Sequence, residues 1–486
     1  MSKKTAAPDF SRRQFLGSAC CAAVGATGLL STLANLRLMG AVANPANGPQ
    51  APARSGALPL DYKALVCLFL NGGNDANNLI VPYDDSGYKA YAAARSNLAL
   101  PRTDLHPLAP KTTSDGRSFA LHAAVPGLDS LFHSGRAAIV ANVGTLVYPT
   151  TRAQWQAKSV PLPRQLFSHS DQQVQWQNSV PDRPSTTGWG GRLADLVNAF
   201  NTNNEISMSI SLAGKNYFQV GSKVSQYAVG TGGAVALSGS TATSGTEFAR
   251  FQTQKALFAQ SQTALFDAAF AGISGSAIND AELLNTVLSR GQNINTVFPT
   301  QADGRTLTTA AAQLRMAARL ISAAPALGLK RQVFFVQLGG WDTHASQVVN
   351  TTPITGTHAN LLSQVSLAIN AFQNAMDELG VAEQVTLFTS SDFGRTYRSN
   401  GDGSDHGWGN HQFVVGGAVK GTEIYGRMPV LTINGPDDTT QGRWIPTTSV
   451  DEYAATLATW FGVSAADLPL VLPNIGRFAK PNLGFL

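Results

Sequence analysis

The chain has 486 residues, a formal net charge of +5 at pH 7 and three cysteines. Its basic residues are spread out with no basic tract, which argues against a nucleic-acid partner. Two of the cysteines, Cys20 and Cys21, lie in an N-terminal segment that reads as removable, so Cys67 alone would remain and no intramolecular disulfide could form.

That segment has three parts. Lys3, Lys4, Arg12 and Arg13 make it positive; a weakly apolar run from about Phe15 to Met39 follows; Ala41-Val42-Ala43 closes it as a small-x-small cleavage site. The adjacent arginines within SRRQFLG (11–17) mark a twin-arginine signal over 1–43, which exports its cargo folded. A membrane anchor is the rival reading, but Gly17, Gly25 and Gly28 interrupt the run and it ends in a cleavage site. Gly17 also stands where a lipoprotein signal needs Leu, which removes Cys20 as a lipidation site. The expected product is periplasmic or extracellular, with no stable membrane anchor after cleavage. Residues 44–61, rich in Pro, Ala and Gly, read as a linker, and 62–486 as the folded domain.

Apolar β-like runs then alternate with amphipathic helical stretches. Strands are expected at Ala64–Leu70, Ala137–Val143, Met208–Leu212, Val333–Leu338, Val385–Thr389 and Phe413–Val415. Helical patterns cover about 123–133, 189–200, 247–271, 277–290, 305–322, 358–379 and 450–461. The alternation predicts an α/β fold with a mostly parallel central sheet and helices on both faces. Residues 228–246 are almost all small or polar and read as a flexible surface insertion or lid.

Polar clusters sit where the strands end. ALVCLFL runs into Asn71-Gly72-Gly73-Asn74-Asp75, VFFVQL into Gly339-Gly340-Trp341-Asp342-Thr343-His344, and VTLFT into Ser390-Ser391-Asp392-Phe393-Gly394-Arg395. Two more clusters are Asp405-His406-Gly407-Trp408-Gly409-Asn410-His411 and Ser168-His169-Ser170-Asp171-Gln172-Gln173. In open α/β sheets ligands bind beyond the carboxyl ends of the strands. Each cluster alone reads first as turn chemistry, and Trp341 and Trp408 as packing. Their joint placement favours a site for one or two divalent ions, and mixed Asp/His ligation suits zinc or manganese better than calcium.

These motifs together resemble a large bacterial family that is exported by the twin-arginine route and has no assigned function. That family is similar in fold to the alkaline phosphatase and sulfatase superfamily, so the resemblance implies an alkaline-phosphatase-like domain from about residue 62 onward. It further implies Asp75, Asp342, His344, Asp392 and His411 as metal ligands, with His406 as a substitute for His411. Ser168 would be the nucleophile, with Thr150 and Thr151 as runners-up, and Arg395 an anion clamp. The sequence departs from the superfamily in three places: Phe393 stands where a histidine follows the aspartate, His344 lies only two residues beyond Asp342, and no unmistakable nucleophile motif is present. The implied activity is metal-dependent hydrolysis of phosphate or sulfate esters, on an anionic ester substrate. The other reading is a catalytically reduced binding or assembly module acting with a co-exported protein partner.

Overall fold

The computed structural model describes residues 61–112, 116–202, 205–234, 237–349 and 352–486. The signal and nearly all of the linker lie outside the described residues. Two compact units are defined by internal contacts. The smaller includes residues 237–280, with the helix Gly245–Phe258 and the first part of the helix Leu265–Arg290. Within it Phe258 and Phe270 meet edge to face, ring centroids 5.7 Å apart.

The larger unit is built on a sheet of ten strands among the described residues. Its main strands are β1 (Lys63–Asn71), β2 (Ala137–Gly144), β3 (Ser209–Ser211), β4 (Tyr227–Gly230), β5 (Arg331–Gly339), β6 (Val385–Ser391) and β7 (Asn410–Gly416). The spatial order is β2-β7-β6-β1-β5-β3-β4. Strands β4, β3, β5, β1 and β6 run parallel, while β7 is antiparallel to both β6 and β2. Ala64–Leu70 of β1 and all of β6 are buried, as expected of parallel strands covered on both faces, which read as unbroken apolar runs.

Among the helices are α1 (Asp85–Arg95), α2 (Pro126–His133), α3 (His169–Asn178), α4 (Trp189–Val197), α5 (Thr309–Ser322), α6 (Thr357–Glu378) and α7 (Val450–Phe461). Helices α2, α5 and α6 pack together as one layer. Helix α7 covers the other side, where Tyr453 meets Phe388 of β6 and Phe388 also meets Trp189 of α4. Each expected strand forms. The helical stretch at 247–271 divides, because the polar run Gln260–Thr263 carries no apolar face, and its second half continues through Gly272 and Gly275 into the stretch at 277–290. Helix α3 escapes the periodicity test because its buried face is polar, with Gln172, Gln175, Gln177 and Asn178 buried beside Trp176. The segment read as an insertion from 228 begins inside the sheet, since Tyr227 and Ala228 pair with Ile210 and Ser211; small residues pair through backbone alone.

Strand register places the site. Asn71 pairs with Gly339, and Leu70 with Ser391, so β1, β5 and β6 end side by side. Strand β7 starts at Asn410 and runs the opposite way, which brings the 405–410 loop to the same edge. Among the described residues no helix is long and apolar enough to cross a membrane.

One buried carboxyl tests the packing of α7. Burial pushes the Asp451 carboxyl up to about 7, against weaker pulls from Ser179 and Arg192. Its folded value lies above its unfolded one, so the fold holds the proton while the unfolded chain releases it. Stability should therefore fall between about pH 4 and pH 7, by on the order of 3 kcal/mol. Asp451→Asn should flatten this slope in denaturant titrations. An unchanged pH profile in the variant would contradict the assignment.

Candidate metal centre

The loops after β1, β5 and β6 are locked by close backbone approach. Gly72 has φ +123°, and a Cβ there would lie 2.6 Å from the Asp342 nitrogen. Gly73 has φ +84°, and a Cβ would lie 2.6 Å from the Phe393 ring. Only glycine fits either position. The 391–396 and 405–410 segments are zipped by Gly394 N–H to Trp408 O (3.0 Å), Gly407 N–H to Gly394 O (2.7 Å) and Thr396 N–H to Asp405 O (2.9 Å).

Arg395 ties these loops together from inside. Its Nε donates to Gly73 O (2.8 Å), Nη1 to Ser404 O (3.0 Å), and Nη2 to Trp341 O (3.1 Å), Asp342 Oδ1 (2.5 Å) and Gly72 O. The residue is 1% exposed. A guanidinium committed to four carbonyls and a carboxylate cannot also grip a substrate, so Arg395 is a brace and not an anion clamp.

Four ring or carboxylate atoms converge above this brace. His169 Nε2, His344 Nε2 and His406 Nε2 lie 3.3, 3.2 and 3.4 Å from Asp342 Oδ1. The His344 and His406 Nε2 atoms are 2.8 Å apart. Each imidazole is held at its other nitrogen by an oxygen: His169 Nδ1 by Asp392 Oδ2 (2.7 Å), His344 Nδ1 by Asp405 Oδ1 (3.1 Å), His406 Nδ1 by Phe167 O (2.6 Å). Carbonyl and carboxylate oxygens only accept, so in the neutral rings the proton sits on Nδ1 and the Nε2 lone pair faces the centre. Facing lone pairs repel unless a cation lies between them. His169 Nε2 is also buried with no hydrogen-bond partner. The residues therefore fit a metal ion: tetrahedral zinc with bonds of about 2.0–2.1 Å has ligand–ligand edges of about 3.3 Å, which the three distances from Asp342 Oδ1 match and the 2.8 Å His344–His406 edge undershoots. His169, Asp342 and His406 form the group among the described residues whose donor atoms all lie within 4.8 Å of one another, and His344 adjoins it.

The electrostatics favour the ligand forms of Asp342 and His406, while His169 would have to give up a proton to a bound metal. Burial works to raise the Asp342 carboxyl, but the Arg395 hydrogen bond and charge, with His169 and His344, together pull it down to about 2. The bond to Asp392 raises His169 against its partial burial. Partial burial lowers His406 despite its bond to Phe167 O.

The structure brings Asp342, His344 and His406 of the expected ligands together and corrects the others. Asp75 is fully buried in an ion pair with Arg95 and accepts from Gln347 Nε2 (2.5 Å), because it caps the short helix Ala76–Leu79 under the loop. Asp392 is one layer out: Oδ1 accepts from Gly72 N–H (3.0 Å), and Oδ2 faces His169 and accepts from Gln173 Nε2 (2.9 Å), which leaves it to orient His169. His411 lies within β7 instead of the loop, where Nδ1 accepts from Asn142 N–H (3.0 Å) and burial lowers it to about 4. The Ser168 hydroxyl donates to Asp171 Oδ2 (2.6 Å). Thr151 caps its own helix, and the Thr150 hydroxyl donates to Tyr148 O (2.8 Å).

His169 is the candidate ligand missing from the sequence-based set. It opens α3, with its ring 4.7 Å from the Phe393 ring. Helix α3 thus places a histidine beside Phe393, where the family resemblance led one to expect a histidine. The available signal was that His169 shares a polar cluster with Ser168; the polar face of α3 hid the helix.

Residues 62–443 match the family described as protein of unknown function (DUF1501), and the chain belongs to that family. No curated protein matches it. Among solved structures it is similar to the lipoteichoic acid synthase LtaP from Listeria monocytogenes, at 8% identity over 86% of this chain and 77% of that one, TM-score 0.33. It is similar to the sulfatase PsFucS1 from Pseudoalteromonas sp., at 11% identity over 84% and 69%, TM-score 0.34. A third is the phosphonate monoester hydrolase SpPMH from Silicibacter pomeroyi, at 10% identity over 85% and 77%, TM-score 0.30. Likeness of this degree transfers no residue role.

Two variants separate brace from ligand. Asp75→Ala breaks a buried pair and should cost about 3–5 kcal/mol while leaving metal content per folded chain unchanged. Arg395→Gln should lower both the melting temperature and the metal content. Metal loss in Asp75→Ala with normal stability would restore Asp75 as a ligand.

Proposed function

We propose that this chain is an exported, metal-dependent hydrolase of phosphate or sulfate esters. One observation carries the reading: three imidazoles, each fixed at Nδ1, turn Nε2 lone pairs toward one carboxylate oxygen. Asp342, His169, His344 and His406 would hold a single zinc or manganese ion. Such an ion supplies Lewis-acid chemistry at an ester oxygen and lowers the pKa of bound water. The protein's own part is positioning. Asp392, Asp405 and the Phe167 carbonyl fix the rings, and the buried Phe393 ring, 4.6 Å from that of His406, walls one side against water. Asp342 is 48% exposed at its side chain, which leaves the centre open to a substrate. Ser168, next to His169 and bonded to Asp171, keeps the nucleophile's place in this reading. Export in the folded state suits a centre whose ligands come from residues 169, 342, 344 and 406, since it is complete only after folding.

Metal-loaded protein should hydrolyse p-nitrophenyl phosphate or p-nitrophenyl sulfate. Asp342→Ala and His169→Ala should lower kcat/KM by about 100-fold or more, and Ser168→Ala should do so if the hydroxyl is the nucleophile. No turnover of either ester by protein carrying one metal per chain would end the hydrolase reading.

A further inference from the structure

Helix α3 has two working faces. His169 and Gln173, four residues apart, both reach Asp392. Residues 171, 174, 175 and 178 lie on the opposite face by helical period and line a separate cavity of about 290 Å³. Its rim begins at Ser170, one residue from His169. The far wall is the proline-bearing segment 180–185, held through Asp182, which is paired with Arg477 (2.9 Å).

The lining has a definite chemistry. Arg164 is exposed, and its guanidinium takes part in no ion pair or hydrogen bond recorded among the described residues, although its carbonyl is gripped by Gln172 and Gln175 (3.2 and 2.7 Å). Asp171, the acid in the lining, is already capped by the Ser168 and Ser170 hydroxyls (2.6 and 3.3 Å). Asn178 is 2% exposed; its Oδ1 accepts from Val180 N–H (2.7 Å), and its amide NH₂ donates to no recorded acceptor. Tyr217 is 41% exposed and lines the cavity, with its backbone N–H anchored on Gln177 Oε1 (2.7 Å). Pro181 and Pro184 supply apolar surface. A free guanidinium, an unspent buried amide donor, an aromatic face and apolar prolines match a polar ring carrying an anionic group. The volume, at the lower end of small-molecule sites, suits one ring and not a polymer.

We infer that this cavity is a binding site for a sugar ring bearing a phosphate or sulfate group, held by Arg164, Asn178 and Tyr217. The inference extends the ester-hydrolase reading and rests on it only in making that ring a neighbouring part of the substrate. Calorimetric titration of metal-loaded protein with glucose 6-sulfate, glucose 6-phosphate and glucose tests it, and the two charged sugars tell sulfate from phosphate. A charged sugar should bind at least tenfold tighter than glucose. Arg164→Ala, which breaks no recorded contact, should weaken that binding about tenfold without shifting the melting temperature, and Tyr217→Ala should weaken it further. Binding should survive in Asp342→Ala. No binding of any of the three, equal binding in Arg164→Ala, or loss in Asp342→Ala alone would overturn the site. Arg164-dependent binding without ester turnover would retain this site and remove the hydrolase; turnover without such binding would do the reverse.

Discussion

The arrangement depends on one buried guanidinium. Arg395 has almost no exposed surface, and it spends its donors on the carbonyls of Gly72, Gly73, Trp341 and Ser404 and on Asp342. These acceptors lie on loops leaving three different strands or leading back into β7. The strands set the loops side by side; Arg395 fixes how they meet. It also places the carboxylate oxygen toward which the three imidazoles turn. A charge so deeply buried is tolerable only because its partners are all polar and well placed.

The second constraint is proton placement. An imidazole can offer a lone pair or a proton at Nε2, and the acceptor at Nδ1 decides which. Here the acceptors are two carboxylates and a backbone carbonyl, and all three leave Nε2 bare. The Phe167 carbonyl reaches His406 because Phe167 adopts a left-handed φ of +76°, a conformation a bulky residue seldom takes. Local backbone strain thus coincides with the imidazole it orients.

Much of the architecture was legible in the sequence, and for a clear reason. Strands buried on both faces must be apolar throughout, so ALVCLFL, VFFVQL and VTLFT announce themselves, and the Gly-rich polar runs after them mark the edge where a site can form. What was hidden concerns side-chain commitments. Asp75, Asp392 and His411 resemble ligands by residue type and position, yet each is taken up by a neighbour distant in sequence: Arg95, His169 and the Asn142 N–H. Arg395 resembles an anion clamp until its carbonyl partners are known. His169 was obscured because α3 buries glutamines where periodicity looks for leucines. Sequence pattern reports which residues can do chemistry; the tertiary hydrogen-bond network decides which are left free to do it.

The central claim is that His169, His344 and His406 with Asp342 hold one divalent ion. X-ray absorption at the zinc edge of zinc-loaded, dialysed protein measures this directly. The account predicts one zinc per chain with a four-atom shell at about 2.0–2.1 Å that shows the outer-shell scattering of three imidazoles, reduced to two in His169→Ala. A shell without imidazole scattering, or one unchanged in His169→Ala, would contradict it.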